Sequence, residues 1–147
     1  MTAENKALIR RFCEVVNTKN IAAVEDFVEG AFALNYVAYE NSKPGAPVSH
    51  RGIKQYLHRF YAVMPDLRIT VEDLIAEGDK VVIRWTMRGT HTGEFMGSPP
   101  TGNPLTVKAM ECFRIAGGRI VERWSIWDQL TLLQQLGAVP SAGRDGN

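Results

Sequence analysis

The sequence predicts a single α+β domain in which N-terminal helices pack against a curved antiparallel sheet that encloses a hollow. Before residue 65 apolar residues recur at helical spacing, whereas from residue 67 to 127 they alternate with polar residues, as in half-buried strands. A length of 147 residues is usual for one domain. We therefore place one domain at residues 1–140 and a polar, flexible tail at residues 141–147.

Helices are predicted mainly in the N-terminal part of the chain. Residues 3–18 have an amphipathic pattern, and a second helix starts after Asn20, a residue type that favours the N-cap. The third helix covers residues 50–64 and ends at Pro65, because proline cannot continue the helical hydrogen bonds. A fourth, short helix is predicted after Asp128.

Five strands are predicted from alternating apolar residues and from β-branched and aromatic content. They cover residues 32–39, 67–72, 81–89, 105–115 and 119–127. The last two are joined by a Gly117-Gly118 turn. The glycine- and proline-rich stretch 89–104 is too broken for regular structure and long for a connector, so we expect a functional loop there.

Composition and missing motifs exclude several classes of function. A net charge of +1 gives no electrostatic case for nucleic-acid binding. No apolar run approaches the roughly 18 residues needed to span a membrane, and the polar N-terminus does not resemble a secretory signal. Two cysteines without a partner pattern favour the cytoplasm. There is no nucleotide-binding, nucleophile-elbow or metal-ligand motif, so we expect chemistry from side chains alone, without cofactor or metal.

Asp128 is the first candidate for a catalytic group. It follows the aromatic strand 119–127 and precedes an apolar helix, a setting in which desolvation would disfavour the charged carboxylate. Such a carboxyl group can carry protons near neutral pH. The alternative is that Asp128 only caps the following helix, a position that suits aspartate.

A second acid, Glu111, is predicted on the same face as Asp128. If Gly117-Gly118 closes a regular hairpin, Glu111 lies opposite Trp124 and Val107 lies opposite Asp128. Two acids on an otherwise apolar surface indicate a site, because burying either one unpaired is costly. Two alternatives remain open: Glu111 pairs with an arginine such as Arg84, or a register slip of one residue moves it to the opposite face.

His91 is the third candidate, in the loop that follows the strand ending near Gly89. An imidazole there would carry protons if it faced an opening. The alternative is that it satisfies backbone groups of the loop. His50 and His58 lie around the third helix, where we expect surface or packing roles.

The chain resembles the SnoaL-like polyketide cyclase family over residues 5–137. Five segments in order and the C-terminal end of the fourth helix carry the resemblance. These segments are Met64-Pro65-Asp66-Leu67, Ala76-Glu77-Gly78-Asp79-Lys80-Val81, residues 89–97, Pro100-Thr101-Gly102 and residues 122–128, followed by Gln135-Leu136-Gly137. The resemblance implies a cone-shaped α+β barrel of the nuclear transport factor type with an apolar pocket. It also implies that Asp128 matches an aspartate that acts as acid and base in a cofactor-free intramolecular aldol condensation.

The resemblance implies a small-molecule substrate derived from an aromatic polyketide of the anthracycline type, as in antibiotic biosynthesis. Many members carry a histidine in the first strand, where this chain has Leu34-Asn35-Tyr36. The family also contains hydroxylases, and a third possibility is a non-catalytic binding or association module. The residues expected to contact substrate are Asn35, Tyr36, Tyr56, Trp85, Glu111, Phe113, Trp124 and Ile126, with His91 or Asn35 near the enolate oxygen.

The sheet face opposite the hollow is expected to need cover, which predicts a homodimer. Val82, Met110, Cys112 and Trp127 are the residues assigned to that outer face.

Overall fold

A computed structural model describes residues 1–140, so the predicted tail at residues 141–147 lies outside the described residues. The helices are α1 (Thr2–Thr18), α2 (Ile21–Ala31), α3 (His50–Val63) and α4 (Gln129–Gln135). The strands are β1 (Phe32–Glu40), β2 (Ala46–Pro47), β3 (Arg68–Glu77), β4 (Lys80–Thr90), β5 (Pro104–Ala116) and β6 (Arg119–Trp127). All predicted elements are present, and the two-residue β2 lies in a segment expected to be a loop. None of the helices within residues 1–140 combines the length and the hydropathy needed to cross a bilayer.

The strands form one twisted sheet in the order β2-β1-β6-β5-β4-β3, with β2 and β3 at its open edges. The pairs β3–β4, β4–β5 and β5–β6 are antiparallel, as predicted. The pair β1–β6 is parallel, so the sheet is mixed rather than wholly antiparallel. The reason is topological: β1 and β6 are distant in sequence, and no tight hairpin dictates their relative direction.

The Asn17 side chain links helix α1 to the edge strand β3 through two hydrogen bonds to the backbone of that strand. The Asn17 amide donates to the carbonyl oxygen of Ile69 at 2.8 Å, and its oxygen accepts from the Ile69 backbone N–H at 2.7 Å. Behind this contact Ile9 and Val28, from α1 and α2, are fully buried against the sheet. The helices therefore cover the inner face of the sheet, and the fold is the α+β cone expected from the sequence.

The β5–β6 hairpin closes at Gly117-Gly118, as predicted. Both residues have positive φ angles, 59° and 74°, which glycine adopts without strain. Ile115 pairs with Ile120, again as predicted. The turn is therefore set by local sequence.

One residue beyond this first pair, β6 contains a β-bulge that changes the face of every later side chain. Arg114 pairs with Glu122, so Val121 is an extra residue without a partner on β5. The predicted pairing of Glu111 with Trp124 is therefore wrong, and Glu111 lies opposite Ser125. Because side chains alternate along a strand, the bulge turns the odd-numbered residues of β6 beyond Val121 toward the interior.

Asp128 is the N-cap of α4. Its carboxylate accepts a hydrogen bond from the Thr131 backbone N–H at 3.0 Å, and this bond lowers the pKa of the Asp128 carboxyl. The side chain is exposed to solvent. The prediction that Asp128 is desolvated is therefore wrong, and the alternative that it caps the helix is confirmed.

We expect Asp128→Ala to lower the free energy of unfolding by roughly 0.5–2 kcal/mol near pH 7, because alanine removes the cap, whereas Asp128→Asn keeps an oxygen for it. The folded-state pKa lies below the ordinary value of 3.8, so the charged cap contributes above that value and is lost as pH falls through the folded-state pKa. Urea unfolding at about pH 7 and about pH 3 should show the alanine deficit shrink in acid. An alanine variant as stable as the parent near pH 7 would contradict this role.

Candidate functional site

A pocket of about 270 Å³ lies between the helices and the inner face of the sheet. We call it the inner chamber. Most of its wall is apolar, including Phe12, Phe32, Leu57, Ile83, Met87 and Phe113. Such a chamber suits an apolar or aromatic molecule, with the few polar groups in its wall fixing the orientation.

The polar groups centre on Glu111 of β5. One carboxylate oxygen accepts a hydrogen bond from the Trp85 indole Nε1 at 2.8 Å, and the other accepts from Arg123 Nε at 3.0 Å. The side chains of Glu111 and Arg123 are each only 11 % exposed. The β6 bulge is what brings Arg123 to this face, so the carboxylate is held from two sides inside the chamber.

Arg123 also bridges to a second acid, Glu40, at the end of β1. Its Nη2 lies 3.4 Å from Glu40 Oε1, and the Tyr56 hydroxyl donates to the same oxygen at 3.1 Å. Two carboxylates thus share one guanidinium. With both acids ionised, the Glu111–Arg123–Glu40 cluster carries a net charge of −1.

Burial and charge act in opposite directions on these groups. Burial disfavours the Arg123 cation, but the neighbouring Glu111 and Glu40 carboxylates outweigh it and raise the pKa of Arg123, so the guanidinium stays charged. Burial raises the pKa of the Tyr36 and Tyr56 phenols, which therefore remain O–H donors at neutral pH. The chamber combines a held carboxylate, a fixed cation and two neutral phenols.

Cys13 is a further polar side chain in the wall of the inner chamber. Burial raises the pKa of its thiol to about 12, with Glu111 adding to the shift. The thiolate form is therefore scarce near neutral pH, and Cys13 acts as a small apolar wall residue.

The structure places five predicted contact residues in the wall of the inner chamber. These are Tyr36, Tyr56, Trp85, Glu111 and Phe113. The alternative that Glu111 pairs with Arg84 is excluded, because Arg84 pairs with Asp73 on the exposed side of the sheet. The alternative that a slip moves Glu111 outward is also excluded, since the extra residue lies in β6 and not in β5.

Three other predicted contact residues lie elsewhere. Ile126 is 63 % exposed, and Trp124 stacks on Tyr39 on the outer face, both as consequences of the bulge in β6. Asn35 is exposed because β1 is irregular between Phe32 and Val37. The expectation that Trp124, Ile126 and Asn35 face the pocket is wrong.

His91 is fully buried but does not line the inner chamber. Its Nδ1 accepts from the Thr101 backbone N–H at 3.3 Å and lies 3.0 Å from the Thr101 hydroxyl, and its backbone N–H donates to the Asn103 carbonyl. The imidazole thus ties together the two ends of the loop 91–103. The expectation that it faces an opening is wrong, and the alternative of a loop-satisfying histidine is confirmed.

Arg123 and Glu40 are the site residues that the sequence did not reveal. The regular hairpin predicted for β6 places Arg123 on the outer face, whereas the bulge at Val121 turns it inward. The residues around Val121 carry no signal that predicts this bulge. The one signal for Arg123 is a charged residue within a strand rich in aromatic residues, which is consistent with a buried ion pair.

A second cavity of about 190 Å³, the outer chamber, adjoins the first. Glu40, Tyr56, Arg59 and Phe60 line both cavities. The remaining wall is formed by Lys43, Phe95, Met96, Trp127 and Gln129. The prediction that Trp127 lies on the outer sheet face is wrong, because the bulge turns its side chain inward.

Comparison with solved structures supports the fold. AclR from Streptomyces galilaeus, described as a candidate hydroxylase, is 28% identical with a TM-score of 0.85, over 99% of this chain and 88% of that chain. IdmH from Streptomyces antibioticus, described as a candidate polyketide cyclase, is 33% identical with a TM-score of 0.76, over 90% and 98%. A SnoaL-like protein from Jannaschia sp. CCS1 has a TM-score of 0.84 at 21% identity over 95% of this chain and 96% of that chain, which supports the fold alone.

No match was found among proteins with curated functions. The sequence profile of the family described as SnoaL-like polyketide cyclase matches residues 6–136, nearly the whole chain. The protein therefore belongs to the SnoaL-like polyketide cyclase family.

Proposed function

We propose that the protein closes a ring in an aromatic polyketide intermediate by a cofactor-free intramolecular aldol reaction, with Glu111 as general base and acid. The observation that carries this proposal is a carboxylate held by Trp85 and Arg123 inside an otherwise apolar chamber. Family membership supports the class of substrate. The role that the resemblance implies for Asp128 and the role predicted for His91 stay rival predictions, since neither side chain lines the chamber.

The hydrogen bonds that position the Glu111 carboxylate can persist during proton transfer. Each carboxylate oxygen accepts one protein hydrogen bond and keeps a second acceptor site. A proton on a carbon between two carbonyl groups can therefore pass to Glu111 without loss of either bond. The same proton then returns to the alkoxide that forms when the enolate carbon attacks the second carbonyl.

The neighbouring donors suit the negative charge that develops on the enolate oxygen. Proton transfer to Glu111 moves one negative charge from the carboxylate to the substrate, so Arg123 keeps a partner throughout. Tyr36 remains a neutral O–H donor in the same wall, whereas the Tyr56 hydroxyl already donates to Glu40. Donors fixed in advance, in a site with little water, stabilise such an oxyanion efficiently. The apolar wall holds the chain folded, which favours closure within one molecule.

A hydroxylase is the second candidate function, because AclR is a close structural relative of this chain. Insertion of oxygen into an aromatic ring consumes molecular oxygen and two reducing equivalents. In that case the same chamber would bind the ring, and a separate reductant would supply the electrons.

We also propose that the protein is a homodimer through the outer face of the sheet. Register places one apolar or aromatic residue from each of five neighbouring strands in a single row: Ile75, Val82, Cys112, Trp124 and Tyr39. In the adjacent row Met110 is 57 % and Ile126 63 % exposed. An apolar row of this kind is characteristic of a surface that another chain covers.

Glu111→Gln should slow proton abstraction by roughly 100- to 10,000-fold, the usual contribution of a positioned base. The measurement is deuterium uptake from D₂O by methyl 3-(2-naphthyl)-3-oxopropanoate, followed by mass spectrometry at about pH 6. Asp128→Asn is the matched control and should retain the parent rate. Binding of the same ester and thermal unfolding show whether the glutamine variant is still folded.

A near-normal rate in a folded Glu111→Gln variant would remove Glu111 from the mechanism. Loss of the rate in Asp128→Asn instead would restore the rival assignment. If the unmodified protein does not accelerate exchange at all, a non-catalytic binding or association module replaces the enzymatic proposal.

Ring closure should proceed equally with and without molecular oxygen. Incubation of a polyketide precursor under both conditions, with the product analysed by mass spectrometry, separates the two enzymatic candidates. The cyclase yields a product of unchanged mass, or one that has lost water. A product heavier by one oxygen atom, formed only in air with a reductant, would establish the hydroxylase instead.

Ile126→Lys should convert the dimer to a monomer, because the interface would then bury a lysine charge without a partner. Light scattering coupled to size exclusion gives the mass of each form. Leu130→Lys, at another exposed apolar position on α4, should leave the dimer intact. A monomeric parent protein would contradict the proposed interface.

A further inference from the structure

The outer chamber differs from the inner chamber in charge. Its charged wall residues are Lys43, Arg59 and Glu40. Within residues 1–140, neither Lys43 nor Arg59 lies within 4.0 Å of a carboxylate oxygen. The two cations at this cavity therefore have no acidic partner in the described part of the chain.

The outer chamber has a net positive charge even when its one acid is counted in full. Lys43 and Arg59 each carry +1 and Glu40 carries −1, which leaves +1. Glu40 also shares the Arg123 guanidinium with Glu111 and accepts a hydrogen bond from Tyr56. An anion placed in the outer chamber is therefore attracted by two cations and repelled by one carboxylate that already has partners.

Lys43 and Arg59 are both exposed, and one contact of each residue places it beside the cavity. The Lys43 backbone N–H donates to the Glu40 carbonyl at 3.0 Å, which folds this turn beside the chamber. The Arg59 guanidinium carbon lies 6.0 Å from the centre of the Tyr56 ring, within range of a cation–π contact. The rest of the wall includes Phe95, Met96 and Trp127, which are suited to contact an aromatic or alkyl group.

From these contacts we infer that the outer chamber binds a carboxylate of the substrate, and that the substrate is a free aromatic acid rather than its ester or amide. This inference rests on the proposed function, in which the apolar remainder of the substrate occupies the inner chamber. A guanidinium presents paired N–H donors that match the two oxygens of a carboxylate, and a neutral ester lacks that charge.

Binding of 2-naphthylacetate and of 2-naphthylacetamide tests the inference without any turnover. The two probes share size and shape and differ in charge. Isothermal titration should give a dissociation constant about tenfold lower for the acid, as for a charge-assisted hydrogen bond that is partly screened by solvent. The advantage of the acid should decrease as salt is added.

The variant Lys43→Gln with Arg59→Gln should weaken binding of the acid to the level of the amide and leave binding of the amide unchanged. The matched control is Arg51→Gln with Arg68→Gln, which removes the same net charge from exposed residues outside both chambers. Equal binding of acid and amide by the parent protein overturns the inference. So does an advantage that survives in the first variant, or one that the control abolishes equally.

These outcomes are independent of the test of Glu111. If Glu111→Gln retains its exchange rate while the acid still binds tighter, the catalytic proposal fails and the carboxylate site stands. The opposite pair of results leaves the catalytic proposal intact and removes the carboxylate site.

Discussion

The buried pairing of Arg123 with Glu111 is the interaction on which the rest of the site depends. Both side chains are almost removed from water, which is costly unless every charge has a partner. Trp85 and Glu40 complete that pairing. Apolar residues of similar volume often stabilise a fold as well as a buried ion pair does or better. Stability alone therefore does not explain the cluster, whereas the proposed proton transfer would.

The position of that pair follows from one extra residue in β6. The four helices, the five long strands, the Gly117-Gly118 turn and the inward phase of β4 and β5 were predictable, because local propensity and alternation set them. For this reason Trp85 and Glu111 were placed correctly. The bulge at Val121 was not predictable, since it arises from how two strands twist against each other and has no sequence signature here. This one extra residue reverses the predicted orientation of every side chain of β6 beyond Val121.

Asp128 and His91 show a different limit of sequence reasoning. A helix N-cap and a buried acid occupy the same place in the sequence, and only tertiary packing separates them. Here α4 is fixed through Gln135, whose side chain exchanges two hydrogen bonds with the backbone of Thr106, and Asp128 stays in solvent. The loop histidine was likewise ambiguous, because the backbone groups that it satisfies belong to residues about ten positions away.

The two chambers together give the site an electrostatic polarity that shape alone would not supply. The charged residues of the inner wall, Glu40, Glu111, Arg59 and Arg123, sum to zero, whereas Lys43, Arg59 and Glu40 give the outer wall a charge of +1. Glu40 belongs to both walls and marks the boundary between them. Under the two proposals an amphiphilic substrate would enter with its apolar end inward and its carboxylate in the outer chamber. That direction would bring the middle of the substrate, with its enolisable carbon, toward Glu111.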